Sequence, residues 1–201
     1  MRFTEAFVKK YQEKQRSANT TQNKPGVDIA SSVVSRKVRI LGVDTSLRST
    51  GLGVIDVDGM KVTHVACTNI PNPAKRSLPN CLKHIREVVN EYLDEYKPDE
   101  VAIEGVFYSK NLKTTLILGE ARGVVICCCA ERNLPIYEYS PKRVKQATTG
   151  TGTAIKEQMQ RMIAAQLALD FLPQEDAADA LSIALSHSHA RIGISPGTRI
   201  D

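Results

Sequence analysis

The chain has 201 residues, 42% of them hydrophobic, no tryptophan and a net charge of +5, which suits one domain of ordinary size with an aliphatic core. No apolar stretch approaches the roughly 18 residues that a membrane span needs. The five cysteines, at 67, 81, 127, 128 and 129, form neither a disulfide framework nor a C-x-x-C zinc pattern and read as core thiols in a reducing cytosol.

Residues 1–36 hold seven Lys/Arg and three Asp/Glu, so four of the five net positive charges lie there. This segment opens with a short amphipathic stretch and then turns polar. It lacks the apolar core of a secretory signal, and Glu5 and Glu13 argue against an organelle transit peptide. It is expected to be a mostly disordered basic extension that acts as a solubilising tail. The rest of the chain is almost neutral, so any nucleic-acid contact there needs a local patch.

Order is expected from Arg36. RKVRILGVDTS reads as a buried strand ending at Asp44. STGLGVIDVDGMKVTHVACTNI gives two more strands about the hairpin signal Asp58-Gly59. SLPNCLKHIREVVNEYLDEYKP places Leu82, Ile85, Val88, Val89 and Leu93 at helical spacing and stops at Pro98. DEVAIEGVF is a strand interrupted by Glu104, NLKTTLILGEARGVVICCCAERN a helix with small residues at Gly119, Ala121 and Gly123, and LPIYEYS a fifth strand. Three helices follow, from PKRVKQAT, TAIKEQMQRMIAAQLALD and EDAADALSIALSHSHARI. The order βββαβαβααα predicts an α/β fold. Its five-stranded mixed sheet has an antiparallel meander for its first three strands and helices on both faces. The folded domain is expected over 37–190, with a C-terminal tail over 191–201.

The acids in this pattern are unusual. Asp44 ends the first strand and Glu104 lies in the fourth, flanked by Val101, Ile103 and Val106. Asp176 and Asp179 are three apart on the last helix and share one face. Each has an ordinary reading. Asp176 can be a cap or dipole partner, and Asp44 a turn residue. Asp179, among Ala178, Ala180 and Leu181, and Glu104, inside an apolar strand, are harder to place that way. If the helix packs beside the first strand, four carboxylates converge, at a cost of several kcal/mol unless counter-charge is supplied. Hard oxygen ligands of this kind suit Mg²⁺ or Mn²⁺, and two such ions can activate a water and stabilise the leaving oxygen of a phosphodiester.

The stretches ILGVDTSLRSTGLGVI, VAIEGVFYSKN, LGEARGVV, VKQATTGTGTAIKEQM and DAADALSIALSHSH closely resemble, in order and spacing, the RuvC family of bacterial Holliday-junction resolvases, which have the ribonuclease-H-like fold. The likeness runs from about Val38 to about His189. It implies a cytoplasmic, nucleoid-associated homodimeric endonuclease active in recombination and repair. Such an enzyme binds a four-way DNA junction, nicks two strands of like polarity symmetrically with Mg²⁺, and works beside a branch-migration complex of the RuvA and RuvB type. The family's catalytic and metal-binding acids map onto Asp44, Glu104, Asp176 and Asp179. Lys145 and Lys156 match two family lysines near the scissile phosphate, where a lysine can hold a phosphate oxygen. Phe107 matches an aromatic that stacks on an unpaired base, with Tyr108 as the alternative; such stacking is worth roughly 1–3 kcal/mol per base. Arg143, beside Lys145, is grouped with the DNA contacts. The helix with Gly119 and Gly123 resembles the dimer-forming helix, with Arg122 assigned to the interface.

Other motifs are weaker. The TGTGT turn offers backbone N–H groups to a phosphate, but GxxxxGK[ST] is absent, which excludes a P-loop. His187 and His189, two apart, do not share a helix face and read as the end of the last helix rather than as ligands. Thr45, Ser46 and Leu47 stand where the family usually has proline, glycine and a small residue, a departure that bears on rate and metal affinity rather than on fold. Two alternatives remain at this stage. One is a junction-binding module without cleavage. The other is an actin-like or sugar-kinase phosphate loop, suggested by GVDTSLRSTGLGVI, though those folds need a second, duplicated domain.

Overall fold

The computed structural model describes residues 37–105, 111–150, 155–191 and 197–200. The apolar run after Lys37 becomes β1, Val38–Asp44. It pairs antiparallel with β2, Ser49–Asp58, which pairs antiparallel with β3, Lys61–Pro71. Asp58 is the last paired residue of β2 and faces Lys61, so the turn itself is Gly59-Met60, one residue later than the Asp58-Gly59 signal. Gly59 has φ of 59°, a left-handed conformation that costs glycine little.

The helix α1, Leu78–Tyr96, buries Cys81, Ile85, Val89 and Leu93, four residues apart. It ends at Lys97, which turns left-handed before Pro98. Strand β4, Glu100–Glu104, then runs parallel to β1, and β5, Ile136–Tyr139, parallel to β4. Between them lies α2, Leu112–Ala130, capped by the Asn111 side chain, which accepts a hydrogen bond from the Thr114 N–H at 3.3 Å. The chain continues through α3, Pro141–Thr149, α4, Lys156–Gln166, and α5, Glu175–His189. The meander, the parallel pairings and the helix order match the α/β expectation.

One strand differs. Thr198–Arg199 forms a short β6 against β5, so the sheet has six strands in the order β3-β2-β1-β4-β5-β6 rather than five. Part of the expected C-terminal tail therefore belongs to the sheet. A two-residue strand is too short to show a period-2 pattern; it occupies the otherwise open edge of β5.

Alternation along the strands splits the core in two. Leu41, Val43, Leu52, Val54, Val101, Ile103 and Ile136 face α1 and α2. Val38, Ile40, Ile55, Val57, Ala102 and Tyr139 face α3, α4 and α5. The cysteines are free thiols; Cys81, Cys128 and Cys129 are buried and Cys67 half-buried, whereas Cys127 is exposed on the outer side of α2. No helix among the described residues is long and apolar enough to cross a membrane. The N-terminal 36 residues lie outside the described residues.

Candidate active site

Two of the four acids are placed by the sheet. Val43 is in register with Ile103, so Asp44 and Glu104 are the next positions on parallel neighbours, whose strands lie about 4.8 Å apart. Asp44 shares the face of Gly42, and Glu104 that of Ala102, the face covered by α5. The sheet thus sets the two carboxylates side by side at the C-terminal ends of its central strands.

The helix supplies the other two, and glycine lets it come close. Gly42 is paired with Gly53, and Gly51 with Asp44. A Cβ on Gly42 would overlap the Ala180 carbonyl oxygen, one on Gly51 the Asp176 carbonyl oxygen, and one on Gly53 would stand 2.7 Å from the Leu181 nitrogen. These three glycines form a bare patch on which the backbone of α5 lies directly. Asp176 and Asp179 project from the turns seated there, next to Asp44.

The electrostatics record the meeting. Burial pushes the Asp44 carboxyl up to about 8, with Glu104, Asp179 and Asp176 each adding to the rise and Lys156 opposing it. Glu104 is pushed up to about 6 by burial and by Asp179, against Lys145. Asp179 is also raised by burial, with Lys156 and Lys145 opposing and Asp176 adding. The predicted acids Asp44, Glu104, Asp176 and Asp179 and lysines Lys145 and Lys156 therefore occupy one neighbourhood. The acids interact without being drawn tight: among the described residues, no three acid, histidine or cysteine side chains already form a closed metal-ligating group.

The lysines arrive from different helices. Lys145 lies in α3, and Lys156 is the first residue of α4, where it also forms an ion pair with Glu175. Arg143 lies instead with its guanidinium carbon 4.9 Å from the centre of the Tyr139 ring. Phe107 and Tyr108, and Thr151–Thr153 of the TGTGT turn, fall outside the described residues. Arg122, assigned to a subunit interface, forms an ion pair with Glu138 of its own chain. His187 is buried, its Nδ1 2.5 Å from the Tyr139 hydroxyl and its Nε2 2.6 Å from Glu100 Oε2. It thus serves the end of α5 away from the acids.

The loop that departs from the family's first motif is closed by local bonds. Thr50 Oγ1 donates to the Ser46 carbonyl at 2.5 Å, and Asn72 Nδ2 to the Leu47 carbonyl at 2.8 Å. Leu47 is buried, so the larger residue finds a place under the loop.

Two site contacts escaped the sequence reading. Ser49 donates a hydrogen bond to Asp176, and Glu175 holds Lys156. Ser49, Gly51 and Gly53 alternate along β2 on the face of Asp44, so the strand pattern could have flagged Ser49. Nothing in the spacing joins Glu175 to Lys156.

A family model described as crossover junction endodeoxyribonuclease RuvC matches residues 40–187. The RuvC of Bordetella parapertussis is 45% identical over 152 residues, covering 76% of this chain and 84% of that protein. That of Bordetella petrii is 40% identical over 175 residues, covering 81% and 96%. Among solved structures, T. thermophilus RuvC in complex with a Holliday junction substrate superposes with a TM-score of 0.74 at 31% identity, covering 81% of this chain and 99% of that one. The yeast mitochondrial Holliday junction resolvase, at 14% identity and a TM-score of 0.57, shares the fold. By sequence match over most of its length and by fold, this chain belongs to the RuvC family of crossover junction endodeoxyribonucleases.

Proposed function

We propose that this protein is a Holliday-junction resolvase, a structure-selective endonuclease that hydrolyses phosphodiester bonds by paired symmetric nicks during recombination and DNA repair. The observation that carries this reading is the half-buried group of Asp44, Glu104, Asp176 and Asp179, in which burial and neighbouring acids push Asp44 up to about 8, and burial and Asp179 push Glu104 up to about 6. A group so short of positive charge fits divalent cations, and an all-carboxylate donor set suits hard ions, Mg²⁺ with Mn²⁺ able to substitute. Two ions at such a site supply an activated water and charge for the leaving oxygen.

The chain's own residues do the rest. Asp44 and Glu104 are held by strands and provide a rigid half of the ligand set, while Asp176 and Asp179 provide the half carried on α5. Lys145 and Lys156, already in the field of these acids, hold the scissile phosphate's oxygens and offset the charge that develops there. Phe107 or Tyr108 stacks on an unpaired base at the crossover, and Arg143 contacts the DNA backbone beside α3. Two symmetric cuts call for two sites, which a homodimer supplies. Leu112 and Leu116 on α2 are each 59% exposed, and the space beside Gly119 and Gly123 is open, as a helix that packs against its copy requires. The enzyme works in the cytoplasm at the nucleoid, with a branch-migration complex of the RuvA and RuvB type. Family membership does not favour the non-cleaving or the sugar-kinase reading.

The test is a gel assay on labelled four-way junction and linear duplex, with Mg²⁺ and with chelator. Paired nicks should appear in the junction alone and only with the metal. Asp44→Asn and Asp179→Asn should abolish them while junction binding persists, since phosphate contacts come from elsewhere on the surface. Resolution by Asp44→Asn at near the parent rate would overturn the assignment.

A further inference from the structure

The first residue of β2 touches a site acid that the strand does not itself carry. Ser49 Oγ donates to Asp176 Oδ2. Asn69 Nδ2, on the neighbouring strand β3, approaches Ser49 Oγ at 3.5 Å. Asn69 is the register partner of Gly51, so Ser49, Gly51 and Asn69 lie together on the face of the sheet beneath α5. An amide NH₂ can only donate. With Asn69 on its acceptor side, the Ser49 hydroxyl directs its one proton at the carboxylate.

Asp176 needs such a hold. It sits in the first turn of α5, a few residues after Phe171 and Leu172, which are 46% and 59% exposed. Its backbone is seated on Gly51, but nothing in that seat fixes the rotation of its carboxyl group. A hydrogen bond to Oδ2 does so, and it leaves Oδ1 out of that bond. We infer that Ser49 is a positioning residue of the metal site, which, supported by Asn69, fixes the Asp176 carboxylate in its ligating orientation. The inference rests on the reading of Asp176 as a metal ligand. Partners of this kind fix ligand orientation at metal centres, and their loss typically costs about 10–100-fold in metal affinity or activity; Ser49 Oγ bonds to Asp176, so the loss here should fall on affinity for the ion.

The test compares the full chain with Ser49→Ala and Ser49→Thr. Binding of Mn²⁺ alone is followed by the loss of the free-ion electron paramagnetic resonance signal, in the absence of DNA. Ser49→Ala should weaken Mn²⁺ binding about 10-fold and raise by the same factor the metal concentration for half-maximal junction cleavage. The cleavage rate at saturating metal, junction affinity in chelator and the melting temperature without metal should stay near the parent values. Ser49→Thr keeps the hydroxyl and should restore the metal affinity. Parent-like Mn²⁺ binding by Ser49→Ala would overturn the inference. So would a loss that Ser49→Thr fails to rescue and that tracks a lowered melting temperature, because that is the mark of a structural role. Asp44→Asn in the same series separates the two readings. If Asp44→Asn is inactive while Ser49→Ala binds Mn²⁺ normally, only the role of Ser49 falls. If Asp44→Asn cleaves like the parent, the metal-site reading falls first.

Discussion

Neutralising Asp44 should stabilise the metal-free protein while destroying its activity. The Asp44 carboxyl is pushed from its ordinary 3.8 up to about 8, chiefly by burial and then by Glu104, Asp179 and Asp176. An acid whose folded value lies above its unfolded one binds an extra proton in the folded state. Its contribution is therefore fully present below pH 4 and is lost as the pH climbs through 8. Each unit of such a shift is worth about 1.4 kcal/mol, so raising the pH from 5 to 8 withdraws about 3–4 kcal/mol through this one group. Asparagine keeps the shape and cannot ionise. In chelator at pH 8, Asp44→Asn should melt roughly 6–16 °C above the parent, given about 2–4 °C per kcal/mol for a chain of this size. At pH 5 the gap should nearly close. Added Mg²⁺ should raise the parent's melting temperature and leave Asp44→Asn almost unmoved, because only the parent keeps the full ligand set. Circular dichroism melts at the two pH values, with and without the ion, decide the matter. A variant no more stable than the parent at pH 8, or equally ahead at both pH values, would refute the account of the acid cluster.

Three further outcomes are expected. Gly51→Ala places a Cβ against the Asp176 carbonyl; it should cost about 1–3 kcal/mol by overpacking. Assayed well below its melting point, it should also lose more cleavage than that loss of stability explains, because α5 is lifted off its seat. Lys145→Ala removes the cation that opposes the rise of Glu104 and Asp179; single-turnover cleavage should fall on the order of 100-fold, while junction affinity by gel shift changes far less. His187→Ala leaves the Tyr139 hydroxyl without its ring partner and removes one of the two groups on Glu100. It should cost about 3 kcal/mol, read as a lower urea midpoint, with the affinity of the folded protein for Mn²⁺ unchanged.

The strands and helices were legible because their periods are strong. The helical spacing in α1 and the apolar runs of β1 and β4 each admit one reading, and Glu104 stood out because it breaks such a run. Asp179 stood out for the same reason, among Ala178, Ala180 and Leu181, whereas Asp44 and Asp176 each had an ordinary reading and entered only as members of the set. What the sequence did not yield were contacts across the sheet. That Ser49 reaches Asp176, 127 residues away, depends on the register of β2 and on the height of α5 above it. The pairing of Lys156 with Glu175 depends on how α4 meets α5. Arg143 and Lys145 looked alike two residues apart, yet a helix turns about 200° over two residues. One therefore lies on Tyr139 and the other in the field of Glu104.

The glycines join these two levels. Gly42, Gly51 and Gly53 look like flexible points in a strand, where glycine ordinarily weakens the sheet. Here their lack of a side chain is what lets α5 lie so close to the sheet, and that closeness decides whether Asp176 and Asp179 can come within reach of Asp44. Larger residues on this patch would leave every acid in the sequence and still dismantle the site. The same closeness buries the acids and crowds four of them with two lysines for company; burial first, and crowding after it, raise the Asp44 and Glu104 values. The packing that gathers the four acids should thus also make the metal-free protein less stable as the pH rises, and binding of an ion among them should reverse that loss.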